Sequence, residues 1–61
     1  MKFHLGQKVR VVKVGKDGDP RHVGQCGKVM TAISYGYKVL LDTWDEEATF
    51  FEDELEPTRQ D

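Results

Sequence analysis

None of the β-branched and aromatic runs in this chain exceeds seven residues before glycine, aspartate, proline or serine interrupts it, and that rhythm leaves little choice of fold. The first run, KVRVVKV at 8–14, places four valines among cations. Branching at Cβ stiffens χ1 and suits a pleated surface, so the run reads as a strand. Val11 and Val12 are adjacent, which breaks strict alternation. A strand buried in part on both faces, or one carrying a bulge, accounts for that. GKDGDP follows at 15–20, two glycines, two aspartates and a proline, and this is turn chemistry. A long first loop is predicted to continue through RHVGQC to Gly27.

Three further strands are predicted. KVMTAI at 28–33 puts Val29, Thr31 and Ile33 on one face, and SYGY turns the chain with Gly36 in a left-handed conformation. YKVLLD at 37–42 aligns Tyr37, Val39 and Leu41; TWDEE is a polar turn; ATFFE spans 48–52. The end of the chain, TFFEDELEP, points Phe50 inward and Phe51 outward. EDEL suits a single 3₁₀ turn, its acids near the N–H groups of the first turn, and Leu55 then returns to the core in a last short strand. Pro57 is expected to end hydrogen bonding, and the tail at 58–61 to fray. Short strands separated by turn signals every eight to twelve residues indicate an all-β barrel or sandwich. No stretch holds a 3.6-residue period, and no internal repeat occurs.

Sixty-one residues make one domain, assigned here to 1–57. A chain of this size buries only about 60% of the surface its unfolded form exposes. Its single cysteine, Cys26, allows no intramolecular disulfide. A lone thiol suits a reducing compartment, and neither a signal-peptide core nor a transmembrane span is present in the sequence. The expectation is a soluble, cytoplasmic protein.

Charge is split along the chain. Residues 1–30 carry seven Lys/Arg against two Asp, and residues 31–61 carry two against nine acids. The folded surface is then either two-sided or built from oppositely charged strands lying side by side. We adopt the second reading, because neighbouring strands gain from opposite-charge pairs.

The order of these features resembles the Src-homology-3-like small barrels, especially the KOW-like branch and the barrel subunits of photosystem I (the PsaE family) and of ferredoxin–thioredoxin reductase (the alpha chain). The residues that carry the resemblance are GQKVRV at 6–11, the Gly27–Lys28–Val29 step, and the aromatic–acidic–leucine closure from Phe50 to Leu55. It covers the chain from Gly6 to Pro57 and is specific for the fold more than for any one family. It implies a five-stranded barrel with a long first loop, a 3₁₀ turn before the last short strand, and a function in binding rather than catalysis.

Motifs for chemistry do not survive inspection. VGQCGKV lacks the first phosphate-loop glycine, where His22 stands, and has Val29 in place of the Ser or Thr after the lysine. His4, His22 and Cys26 fall one short of a structural zinc set and read as a buried thiol with two solvent histidines. DGD at 17–19 lacks the alternating acids of a calcium loop. Ser34 and Cys26 have no nucleophile signature around them. The expectation is no metal, no cofactor and no enzyme, but a protein–protein binding module or accessory subunit. Arg21 and His22 on the long loop, with Tyr35, Trp44 and Phe51, are the candidate partner-binding residues, being types enriched at binding hot spots. The alternative is a KOW-type nucleic-acid binder using Lys8, Arg10, Lys13, Lys16, Arg21 and Lys28 on phosphates. Self-association through a sheet edge is compatible with either.

Overall fold

The valine-rich runs do form strands, with ends shifted by tertiary contacts. The computed structural model describes residues 3–16, 18–43 and 47–58. Five strands lie within them: β1 (Lys8–Val11), β2 (Cys26–Ile33), β3 (Gly36–Leu41), β4 (Glu47–Phe51) and β5 (Leu55–Pro57). Two 3₁₀ turns, Pro20–His22 and Glu52–Glu54, sit in the long first loop and just before β5. All pairings are antiparallel, and the order across the sheet is β4-β3-β2-β1-β5. Among the described residues β4 pairs with β3 alone and β5 with β1 alone, so both are edges. The fold is all-β.

One face of this sheet is the core. Val9 and Val11 of β1, Val29 of β2, Tyr37, Val39 and Leu41 of β3, Phe50 of β4 and Leu55 of β5 are buried on it. Phe50 faces in and Phe51 out, as the alternation requires, and Leu55 returns inward after its 3₁₀ turn. The ninth buried apolar residue, Phe3, was not expected. Its ring meets Tyr37 edge-on at 5.3 Å, and its N–H donates to the Tyr37 hydroxyl at 3.2 Å. A T-shaped aromatic pair contributes about 0.5–1.5 kcal/mol beyond its buried area, so the N-terminal segment is part of the core.

Several expectations need correction. β1 ends at Val11, not at residue 14. The adjacent valines mark the strand's end: the Val12 N–H turns away to Glu54 O at 2.8 Å, and its side chain is 40% exposed. The bulge lies in β2 instead, where the register against β3 slips between Val29 and Thr31. One extra residue reverses every side chain after it. Thr31 therefore faces out opposite Lys38, and Ala32 faces Tyr37 and packs on the core. Gly36 is not left-handed; the described glycines at positive φ are Gly6 and Gly24. Gly36 is needed for proximity, because a Cβ there would strike the carbonyl oxygen of Phe50 on β4. Pro57 does not end the ladder. It lies opposite Val9 at the sheet edge, where a missing N–H costs nothing, and Thr58 N–H then donates to Lys8 O at 3.2 Å. The rest of the tail expected to fray, 59–61, is outside the described residues.

Candidate functional site

The hairpin between β2 and β3 turns on Ser34 and Tyr35, with Ile33 paired to Gly36. Because Gly36 has no side chain, β4 packs close behind it, and Gly36 pairs with Phe51. Tyr35 and Phe51 consequently meet on the surface with ring centroids 5.9 Å apart and planes inclined by 59°. They remain 62% and 52% exposed. Beside Tyr35 lies a groove of ≈ 560 Å³, with Ile33, the Tyr37 side chain and Glu52 among its walls.

Glu52 is set by the second 3₁₀ turn. The turn is held from within by Glu54, whose carboxylate accepts the Phe51 N–H at 2.8 Å, the returning arm of a capping box. Glu54 is 6% exposed, a position a carboxylate occupies only when its bonding capacity is used. The Leu55 N–H closes the turn on Glu52 O. From this base the Glu52 carboxylate reaches the groove and accepts a long 3.5 Å hydrogen bond from the Tyr37 hydroxyl, which itself accepts from Phe3 N–H. The groove wall is thereby tied to the core.

The other charges behave differently. Lys8 pairs with Asp42 at 3.6 Å, Arg10 with Glu56 at 3.6 Å and Lys13 with Asp53 at 3.3 Å. Each of these joins a cation of the basic half to an acid of the acidic half, so the charge split along the sequence is partly cancelled in space. Arg21 grips Asp19 two residues earlier, with Nη2 to Oδ2 at 2.7 Å and its own N–H to Oδ1 at 2.9 Å. These bonds hold the Asp19 carboxyl at about 2, below its usual 3.8. Lys16, Lys28 and Lys38 make no ion pair among the described residues.

Of the residues singled out for partner binding, Tyr35 and Phe51 come together, and Tyr35 lines the groove while Phe51 does not. Arg21 and His22 do not line it. His22 is half-buried rather than a solvent histidine, its ring edge-on to Phe50 at 5.7 Å, so the long loop folds over the core through it. Trp44 lies outside the described residues. Of the proposed phosphate-binding set, Lys8, Arg10 and Lys28 share the outer face of β1 and β2, with Lys8 directly opposite Lys28. Lys13 and Lys16 follow in the loop, and Arg21 is bonded to Asp19. Cys26 is half-buried opposite Arg10. Sequence reasoning missed Glu52 and the Tyr37 hydroxyl as parts of a site; their one sequence signal was an acid directly after an outward-facing aromatic.

Among the described residues no three His, Cys, Asp or Glu side chains gather to hold a metal ion. No helix there is long and apolar enough to cross a membrane. No family model matches this chain, and neither a curated protein nor a solved structure matches it significantly.

Proposed function

We propose that this protein is a non-enzymatic binding module, an adaptor or accessory subunit that docks another protein at the β2–β3 turn. The observation that carries this reading is the exposed Tyr35–Phe51 pair beside a groove of ≈ 560 Å³. Aromatic side chains offer large contact area at small entropic cost and are enriched at interface hot spots. The volume falls within the range of small binding sites, roughly 300–1,000 Å³. The sheet itself, on this reading, curls into a Src-homology-3-like barrel. Its support is the strand order, the long loop after β1 and the 3₁₀ turn before β5. A cytoplasmic setting follows from the lone thiol of Cys26.

The test is capture from native lysate followed by mapping. A purified partner should shift the amide resonances of Ile33, Tyr35 and Gly36 in the labelled protein. The double variant Tyr35→Ala/Phe51→Ala should lose it while keeping its fold. A partner that binds the variant undiminished removes the groove from the argument.

One observation favours a second reading, nucleic-acid binding. Lys8 and Lys28 are directly opposed across β1 and β2, a like-charge pairing that Asp42 offsets only at Lys8 and that phosphate would relieve further. Oligonucleotide titrations at two salt concentrations separate the readings. The electrostatic part of such binding is strongest at low salt, so flat curves there eliminate it.

A further inference from the structure

We infer that the groove at the β2–β3 turn takes an arginine side chain of the partner, held between the Glu52 carboxylate and the Tyr35 ring. This rests on the docking proposal above and deepens it.

The carboxylates described around the sheet differ in how they are satisfied. Asp19, Asp42, Asp53 and Glu56 each have a cation of the same chain within 4.0 Å. Glu54 is buried and bonded to a backbone N–H. Glu52 alone combines a position on a groove with the lack of any ion pair among the described residues. Its hydrogen-bond partner among the described residues is a neutral hydroxyl at 3.5 Å, which leaves most of its accepting capacity unused. Tyr35 lines the same groove and is 62% exposed, with Phe51 tilted against it at 5.9 Å. An aromatic ring and a carboxylate without an ion pair, lining one groove, are both complementary to a cation.

Arginine fits this pair better than lysine. Its planar guanidinium can stack on a ring while presenting two parallel N–H donors to a carboxylate, whereas an ammonium acts as a compact, strongly hydrated point charge. The Tyr37 hydroxyl, anchored by the buried Phe3 N–H, keeps Glu52 facing the groove before any ligand arrives. Less ordering is then left for the moment of binding. A groove of ≈ 560 Å³ has room for one such side chain and a short length of the chain that bears it.

The experiment is a resonance titration of the full-length protein with short capped peptides carrying one central residue between serine and glycine: arginine, lysine or glutamine. The arginine peptide should give saturable shifts at the amides of Ile33, Tyr35, Gly36 and Glu52, with a Kd on the order of 1 mM. The lysine peptide should bind more weakly, and the glutamine peptide about tenfold more weakly than arginine, a difference of about 1.4 kcal/mol. Glu52→Gln, which keeps the size and an acceptor oxygen, should bring arginine down to the glutamine level and leave the glutamine peptide unchanged. Raising the salt should narrow the same gap. Equal binding of arginine and glutamine, or an unchanged arginine affinity in Glu52→Gln, overturns the assignment and leaves a neutral docking groove intact. Absence of saturable shifts up to about 10 mM, some tenfold above the expected Kd, also overturns it. Failure of the docking proposal reads out separately, as a captured partner indifferent to Tyr35→Ala/Phe51→Ala.

Discussion

The outer face of β1 and β5 and the groove at the β2–β3 turn use similar residues to opposite ends. On the first, Arg10 lies opposite Glu56 and forms an ion pair with it, and Lys13 reaches Asp53 beyond the strand ends. Those charges answer one another across the fold. At the groove, Glu52 and the Tyr35–Phe51 pair have no equivalent answer among the described residues. The contrast is sharpest inside one 3₁₀ turn: Glu54 is buried and spends its carboxylate on the Phe51 N–H, while Glu52, two residues earlier, faces outward. A carboxylate used internally builds the scaffold, and one left over is available to a ligand.

The largest effect should come from removing the close approach that creates the groove. Gly36→Val places branched carbons against the Phe50 carbonyl and pushes β4 away from β3. Overpacking of this kind costs about 3 kcal/mol. A chain of this length has only about 3–9 kcal/mol of stability in total. Urea titration should show about a third or more of that stability gone. A midpoint equal to that of the parent would mean that β3 and β4 need no such approach and that the groove has another origin.

Glu54→Ala comes next. It strands the Phe51 N–H without its acceptor, which costs about 1–3 kcal/mol. Because the same N–H fixes Phe51, the Tyr35–Phe51 contact should loosen, readable as a change in the ring resonances of Tyr35. Glu52→Ala should leave stability within about 0.5 kcal/mol of the parent, as for other exposed substitutions. If the two variants proved equally destabilising, the division of labour within the turn would collapse.

The sequence made the sheet legible because β-branched runs and turn residues act locally. Tyr37, Val39 and Leu41 kept their phase, and so did Phe50, Phe51 and Leu55. What escaped was set at a distance. The bulge after Val29 depends on pairing with β3, and the end of β1 depends on a carbonyl at Glu54. Phe3 carries no local pattern at all, yet Tyr37 draws it into the core. The site was legible in its aromatics, Tyr35 and Phe51, since outward phase and turn position are local properties. Glu52 was hidden among neighbouring acids, because composition cannot tell which of them finds a cation. Arg21 and His22 were singled out by residue type, but the loop folds so that one grips Asp19 and the other rests on Phe50.

The charged face should respond weakly. Arg10→Ala removes a pair at 3.6 Å whose side chains are 51% and 49% exposed. Exposed pairs of this sort contribute about 0.2–1 kcal/mol, and salt erodes the difference. Lys28→Glu goes the other way: it turns the opposition of Lys8 and Lys28 into an attractive cross-strand pair, with a gain of about 0.2–1 kcal/mol. Both are measured by denaturation at low and high salt. A loss in Arg10→Ala that exceeds the Glu54→Ala loss would reverse the ranking of the two regions.

The smallest effect concerns the long loop. Arg21 holds the Asp19 carboxyl at about 2, first through the side-chain bonds and then through the backbone N–H. The folded value lies below the usual 3.8, so the unfolded chain takes up this proton first as pH falls. The contribution is therefore complete above about pH 4 and drains away as the pH drops towards 2. It stays small because the Asp19 side chain is 28% exposed and its partner 74% exposed, where water screens the attraction. Carbon-13 titration of the Asp19 carboxyl should give a midpoint of about 2, moving up towards 3.8 in Arg21→Ala. His22 should report the same event, since it belongs to the 3₁₀ turn capped by Asp19 and its ring rests on Phe50. A midpoint near 3.8 in the parent protein would release Arg21 from its partner. The loop would then join the groove among the surfaces with charge to offer, and the contrast drawn between the two regions would have to be redrawn around it.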